Sequence, residues 1–582
     1  MDISDLQDFL QRERQAAAKE ASLAAVLADA ALVDRGDALA GLEIVNRSRD
    51  AILFKCEENE SRFRPGTHLR LTCGQESIRG VIVDISDRGR RLSVRVDHKT
   101  ASLPIGPWTA IEASIDTSFV VSQCLAKLQP GAPGWSFFNA ISGNSGLGPL
   151  RPSPLAADAL AVIGDVVVAA GNAIDSSQRE ALEQSARLPS LHAVQGPPGT
   201  GKTMLLALVA ETLVRMGRRV LIVAPTHQAV NNALSAIRRL FPGTPLVKIG
   251  DELRRESLED SIPCRTAKTA TTGIPDVDQS RLVVGMTFLS ALHNQGIRAS
   301  GLSANALLID EAGQLPLTQG ACAGLLGAGV NILFGDDAQL PPVFAGDLSE
   351  DRLAVSLFRQ VRRVAPERIT QLTTTYRMNA PLCGIVAREF YGNGGPQLVP
   401  SPTVAGNCFS LPRGEPTRES VRQVLLPATS FVWLRTPGQD SLQSNAWEAE
   451  SIASLIVACL EHGKTARDIA VVTPFRRQAA LIRRTLQGLV AADADLPIID
   501  TVERVQGLTV DLIAISMAAS EPEFVASVAG FLLSPNRLNV AISRARTKVV
   551  IAASPSLLDV VPGEYSAFLG RESMRRVLAQ AG

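Results

Sequence analysis

From Leu191 onward, short apolar runs alternate with longer stretches whose apolar positions recur at helical spacing. The runs Leu191–Gln195, Val220–Ala224, Leu282–Gly285, Ala306–Asp310 and Val330–Gly335 carry almost no polar residue, as strands covered on both faces do. Stretches between them, such as Met204–Val214, have the spacing of helices, so residues 155–345 are predicted to form a doubly wound parallel α/β sheet. A second set, Phe431–Leu434, Ile469–Val472, Ile498–Val502, Leu512–Ser516 and Val549–Ala552, predicts another such sheet within 346–582.

The first part of the chain follows other periods. Leu6–Val33 is rich in Ala, Leu, Glu and Arg at helical spacing and ends near Gly36, which predicts one long helix over 1–36. Residues 42–98 switch to alternating runs such as His68–Leu71, Ile78–Ile85 and Leu92–Val96, separated by Gly and Asp, so a small β-barrel is expected within 37–115. A helix and linker fill 116–154, where Ile141–Pro154 is rich in Gly, Pro and Ser, and Gly392–Pro416 reads as a surface loop. Ala312–Gly335 has no formal charge over a length that could span a bilayer, but Gln314, Pro316, Gln319 and Asn331 make it a buried helix and strand.

Composition narrows the class. The 582 residues suggest about four domains, and 46% hydrophobic with 20% charged residues is ordinary for a soluble globular protein. Lys+Arg and Asp+Glu both number 58, so no global positive field draws in nucleic acid and any binding needs local basic grooves. Arg476, Arg477, Arg483 and Arg484 could line such a channel or form a solvated helix face. The eight cysteines form no Cys-x-x-Cys pair and histidines do not cluster, so free thiols in a reducing cytoplasm are expected, without zinc. The N-terminus lacks the basic and apolar regions of a signal peptide, and no membrane association is expected.

Chemistry enters at Gly196-Pro197-Pro198-Gly199-Thr200-Gly201-Lys202-Thr203, set between an apolar strand and a helix. Successive backbone N–H groups of such a loop point into one concavity, Lys202 reaches the outer phosphates, and the Thr203 hydroxyl can ligate Mg²⁺. The chain is therefore expected to bind a nucleotide triphosphate. Downstream, Asp310 would meet the Mg²⁺ and Glu311 would polarise a water, which favours hydrolysis over transfer. Gly335-Asp336-Asp337-Ala338-Gln339-Leu340-Pro341-Pro342 follows a further strand.

The order of phosphate loop, Asp310-Glu311-Ala312-Gly313-Gln314 and Gly335–Pro342 resembles superfamily 1 helicases, in particular the B branch that contains the nonsense-mediated-decay helicase. Thr374–Met378 looks like its Tyr-Arg-Met motif, Val472–Phe475 its fourth, Thr501–Gly507 its fifth and Asn536–Arg546 its sixth, and together these motifs cover Gln178 to Arg546. The resemblance implies two tandem RecA-like domains with an N-terminal helical stalk and a small β-barrel, which lies over the nucleic-acid path in relatives and could equally be a spacer or docking module here. The relatives' helical insertion after the second strand is reduced to about Leu240–Arg281, a polar stretch interrupted by prolines.

By the same resemblance ATP sits in a cleft that lobe closure completes, with Arg377 and Arg544 reaching the γ-phosphate and Gln339 sensing it. A buried loop-capping role is the alternative for Gln339. Gln178 would recognise adenine, unless it is a helix-surface residue after an Asp or Ser cap, and Tyr376 would stack on the base. Gly507 belongs to the nucleotide set. Pro225, Thr226, Gln228, Thr287, Pro474, Thr501 and Val502 would contact the nucleic-acid backbone without reading bases.

The implied function is an ATP-dependent translocase or helicase on single-stranded DNA or RNA, moving 5′ to 3′ and brought to its substrate by a recruiting protein. A nucleotide-gated scaffold that binds nucleic acid and remodels partners without unwinding is the rival, and an ATPase acting on protein is disfavoured by the fifth and sixth motifs. One position departs from the pattern: Thr509 stands where relatives carry a Glu expected to accept a hydrogen bond from the ATP ribose.

Overall fold

The computed structural model describes the chain apart from residues 27–32, 34–37, 49, 58, 60, 62, 97–102, 114–116, 144–154, 172–173, 267–280, 294–303, 345–347, 349–350, 393–394, 439, 492 and 582. By contact density it divides into two compact units. One comprises residues 1–195, 202–337 and 341–370, the other 196–201, 338–340 and 371–582.

In the first unit, the alternating segment folds into strands β1 (Ala38–Arg47), β2 (Ala51–Lys55), β3 (His68–Cys73), β4 (Glu76–Ser86), β5 (Arg91–Val96) and β6 (Trp108–Glu112). They pair antiparallel in the order β1-β2-β5-β4-β3-β6, and β1 pairs back onto β6 to close a barrel. The period of two sends Leu69, Leu71, Ile82, Leu92 and Val94 inward around Phe54 and Trp108, while Arg70, Arg79 and Arg95 stay outside. The preceding helix spans Ile3–Val26, and Leu6, Phe9 and Leu10 bury its first turns against Val121 and Leu125. Most of residues 27–37, where the expected helix continues and ends, lies outside the described residues, as does most of the expected linker beyond 143.

The large sheet of this unit contains β7 (His192–Gln195), β8 (Val220–Ala224), β9 (Leu246–Ile249), β10 (Cys264–Arg265), β11 (Val283–Thr287), β12 (Ala306–Ile309), β13 (Val330–Gly335) and β14 (Ile369–Gln371), in the order β10-β9-β11-β8-β12-β13-β7-β14. Neighbours from β10 through β7 pair parallel. The stretch Leu240–Arg281 is not simply a polar insertion: β9 and β10 extend the sheet from within it. Lys248 disguises β9, because this lysine is fully buried with its ammonium on the Arg254 carbonyl. The uncharged segment after Ala312 is a short helix Leu317–Gly320, a 3₁₀ turn Ala321–Leu326 and β13, nearly all buried.

The second unit holds β15 (Thr374–Thr375) paired with β16 (Val399–Pro400), and a parallel sheet of β17 (Phe431–Arg435), β18 (Ile469–Val472), β19 (Ile498–Asp500), β20 (Val510–Ser516) and β21 (Ala545–Ala553), ordered β17-β21-β20-β18-β19. Among the described residues no helix is long and apolar enough to cross a membrane.

Candidate nucleotide and nucleic-acid site

β7 runs into the loop 196–201, and the helix Lys202–Arg215 starts at the loop's end. Gly199 and Gly201 have φ of +75° and +77°, a backbone region that favours glycine. At Gly199 a Cβ would also stand 2.5 Å from Arg377 Cβ and 2.6 Å from Thr375 Oγ1. The second unit holds this loop closely: the Tyr376 N–H donates to the Gly199 carbonyl at 2.8 Å, and the Thr375 hydroxyl donates to the Pro198 carbonyl at 2.9 Å. Gly196 and Pro197 complete the loop, and the Thr200 hydroxyl donates to the Pro197 carbonyl at 2.8 Å.

In the first unit Lys202 meets the acidic pair. Its Nζ donates to Glu311 Oε1 at 2.7 Å and lies 3.3 Å from Asp310 Oδ1. Burial works to lower the pKa of this ammonium, but Asp310 and Glu311 outweigh it and the group is held above its ordinary range. Burial raises the Asp310 carboxyl, against the opposing pull of Lys202. The pair comes together because β12 delivers Asp310 at its end, and Glu311 then turns through φ +52°, an uncommon conformation for a residue with a Cβ. The Asp310 carboxylate accepts the Glu311 N–H at 2.9 Å and the Gln314 amide donates to Glu311 Oε2 at 3.2 Å, which fixes both. Thr203 is the second residue of the helix and is half-buried.

Two partners near this site escaped sequence reasoning. The Gln195 amide, one residue before the loop, donates to Asp336 Oδ1 at 3.3 Å and Asp337 Oδ1 at 3.4 Å. Arg362 then grips Asp337 through Nε at 2.7 Å and Nη2 at 2.9 Å, the bidentate geometry that suits guanidinium to carboxylate. The unusual Asp337 following Asp336 was the available signal, but its partner lies on a helix, Leu357–Val364, that carries no motif.

In the second unit Arg377 donates to the Ser543 carbonyl at 2.9 Å. Arg544 donates through Nε to the Val540 carbonyl at 3.0 Å and through Nη2 to Gln339 Oε1 at 3.4 Å. Gln339 is itself held by the Asn536 amide on its carbonyl, while Asn539 takes the Ala338 carbonyl at 2.8 Å. Burial pushes the Arg377 guanidinium down to about 9, and the charges of Arg544 and Arg546 add to the effect. Crowded cations of this kind are relieved by an anion. Tyr376 is exposed beside them, and Gly507 sits at φ +84°. Thr509 is half-buried immediately before β20.

Gln178 is fully buried as the third residue of the helix Ser176–Ala186. Its Oε1 accepts the Asp175 N–H at 3.2 Å, and Asp175 Oδ1 accepts the Gln178 N–H at 2.9 Å, so the residue closes a capping box. Among the expected nucleic-acid contacts, Thr226 and Gln228 are exposed and Pro225 half-buried at the start of helix His227–Leu240, where the Thr226 hydroxyl caps the Ala229 N–H at 3.2 Å. Thr287 ends β11, half-buried, and Pro474 follows β18. Thr501 and Val502 are buried, and Val502 packs in the core of the second unit. Of the basic run, Arg483 is tied to the Ile499 carbonyl at 2.9 Å.

The donor set fits a nucleotide with its metal. Positive-φ glycines shape the loop, a 14-residue helix offers its N-terminus, and a hydroxyl and a buried carboxylate stand with the lysine. No group of three or more His, Cys, Asp or Glu among the described residues could hold a metal ion by itself.

Two AAA-domain family profiles match the chain, one over residues 173–382 and the other over 353–556. The DNA replication ATP-dependent helicase/nuclease JHS1 of Arabidopsis thaliana is 27% identical over 399 residues, 67% of this chain and 29% of its own length. Its Schizosaccharomyces pombe counterpart dna2 is 28% identical over 66% of this chain and 28% of its own. The DNA polymerase alpha-associated DNA helicase A of the same yeast is 27% identical over 65% of this chain and 63% of its own. The two AAA-domain profiles and these relatives together support a DNA2/NAM7-like superfamily 1 helicase that hydrolyses ATP. This chain spans less than two thirds of the length of each of these relatives. Among solved structures, an arterivirus nonstructural protein 10 (helicase) overlays 88% of this chain and 78% of its own at 14% identity and TM-score 0.39, a likeness too distant to bear on the fold.

Proposed function

We propose that this helicase-family chain couples ATP hydrolysis to 5′-to-3′ movement along single-stranded DNA, with its two parallel sheets acting as RecA-like lobes and its first helix as a stalk for the barrel. The observation that carries the reading is the joining of Lys202 to Asp310 and Glu311 beside a glycine loop of phosphate-binding shape. The ATP chemistry is assigned to Lys202, Thr203, Asp310, Glu311, Gln339, Arg377 and Arg544. Lys202 would exchange Glu311 for the outer phosphates, freeing that carboxylate to orient the attacking water and accept its proton. Arg377 and Arg544 would stabilise charge on the transferring phosphoryl group, and Gln339, already bonded to Arg544, would report its presence. Mg²⁺, held by Thr203 and Asp310, would neutralise phosphate charge. Tyr376 would stack on the adenine and Gln178 would read its edge.

DNA rather than RNA is proposed because the relatives are named as DNA replication helicases. The backbone contacts are assigned to Pro225, Thr226, Gln228, Thr287, Pro474 and Thr501, with Val502 restricted to its main chain because its side chain is in the core. With a formal net charge of zero, recruitment by another protein supports delivery to the strand. Forked duplexes with a single overhang test the reading. The chain should unwind a 5′-tailed DNA fork with ATP and leave a 3′-tailed fork intact. Unwinding only of the 3′-tailed fork overturns the direction, and ATP turnover without unwinding of either overturns the helicase in favour of a scaffold.

A further inference from the structure

The segment between β20 and the helix Pro535–Ile542 carries two phenylalanines that fold back onto a third. Phe475, which follows Pro474, lies with its ring centroid 5.8 Å from Phe524 and 6.1 Å from Phe531. In a chain with only 4% aromatic residues this gathering is uncommon, and it is not a closed core. Phe475 and Phe524 are half-buried and Phe531 is 38% exposed. The Arg537 guanidinium lies 3.9 Å from the Phe531 centroid, and an ion pair with Glu503, two residues beyond Thr501, holds it there. The exposed surface is thus a phenyl ring carrying a fixed planar cation, placed between the chain segments at 474 and 501–503.

From this placement we infer that Phe531, with Arg537 clamped on it, is a stacking platform for a nucleobase of the bound single strand. The inference rests on the proposed nucleic-acid reading and adds base contact to a site otherwise made of backbone contacts. Every base has a π-face, so an aromatic ring with an arginine beside it binds single strands without reading their sequence. Stacking also meets a need specific to this chain. Zero formal charge limits what phosphate attraction can supply, and apolar stacking adds affinity that salt does not screen. Glu503 serves as a positioning residue that keeps Arg537 over the ring and has its own charge neutralised by doing so.

The test compares a thymidine oligonucleotide with an abasic oligonucleotide of equal length by fluorescence anisotropy on the whole chain. Wild type should bind the thymidine strand more tightly, and Phe531→Ala should weaken that binding about five- to a hundredfold while leaving the abasic strand unaffected. Phe531→Leu keeps apolar bulk without a ring, so it should behave like Phe531→Ala, and Phe531→Trp should restore the preference. Equal affinity of wild type and Phe531→Ala for the thymidine strand overturns the platform, as does an equal loss on both strands or rescue by Phe531→Leu. Failure of wild type to bind either strand overturns the nucleic-acid reading itself, which separates the two claims.

Discussion

Lys202 Nζ is 2.7 Å from Glu311 Oε1, closer than its 3.3 Å to Asp310 Oδ1, so the amine of the phosphate loop is held by the carboxylate assigned to the attacking water. ATP binding has to break this pair. Glu311→Gln should therefore retain or tighten ATP binding, because Lys202 is released from a competing charge, while turnover falls by about 10²- to 10⁴-fold. Lys202→Ala should lose both. Equilibrium binding of a fluorescent ATP analogue alongside single-turnover hydrolysis checks this; loss of binding in Glu311→Gln would contradict it.

The pH dependence of stability should carry the mark of His192. This buried ring bonds Ser185 at 3.1 Å and Thr370 at 3.0 Å, and burial, aided by the Arg368 charge, pushes its pKa down to about 3. The unfolded residue titrates near its ordinary 6.5, so between that value and about 3 the unfolded chain holds the extra proton and stability falls with pH. At pH 5 the loss relative to neutral pH is about 2 kcal/mol. Denaturant unfolding at pH 7 and pH 5 should show His192→Gln losing less stability over this interval than wild type. Equal losses would mean that other groups set the acid limb.

How much of this was legible depends on what interrupts each run. β8, β13 and β18 have the predicted bounds because nothing ionisable interrupts their apolar runs. β21 begins at Ala545, earlier than the apolar run from Val549 indicates, since Arg546 and Lys548 lie inside the strand. Lys548 is buried with its ammonium on the Val424 and Leu426 carbonyls at 3.0 and 2.7 Å, a solution that hydropathy cannot anticipate. Lys248 hid β9 in the same way. The phosphate loop and the Asp310-Glu311 pair were readable because backbone geometry and metal chemistry fix residue types at fixed spacing. The Gln195–Asp337–Arg362 chain was not, because it depends on which helix packs beside the end of β13.

Ribose recognition should be weak. Thr509 is half-buried just before β20, where relatives by resemblance present a longer carboxylate. Without that charge-assisted bond, about 1 to 3 kcal/mol of discrimination is lost. Wild type should use ATP and dATP with similar kcat/KM, and Thr509→Glu should restore a preference for ATP. A strong wild-type preference that Thr509→Glu leaves unchanged would remove this account.

Salt dependence should be shallow. Lys+Arg and Asp+Glu are equal at 58 each, and Arg483 gives one Nη2 donor to the Ile499 carbonyl. With about five phosphates contacted, the log–log slope on single strands should be about −3 to −4. A titration of affinity against salt concentration that gave a much steeper slope would reveal a concentrated basic channel.

The coupling of the nucleotide site to a strand is tested most directly by steady-state ATP turnover with and without saturating single-stranded DNA. Turnover should rise on adding the strand and vanish in Lys202→Ala under both conditions. Wild-type turnover that is the same with and without DNA would contradict the account.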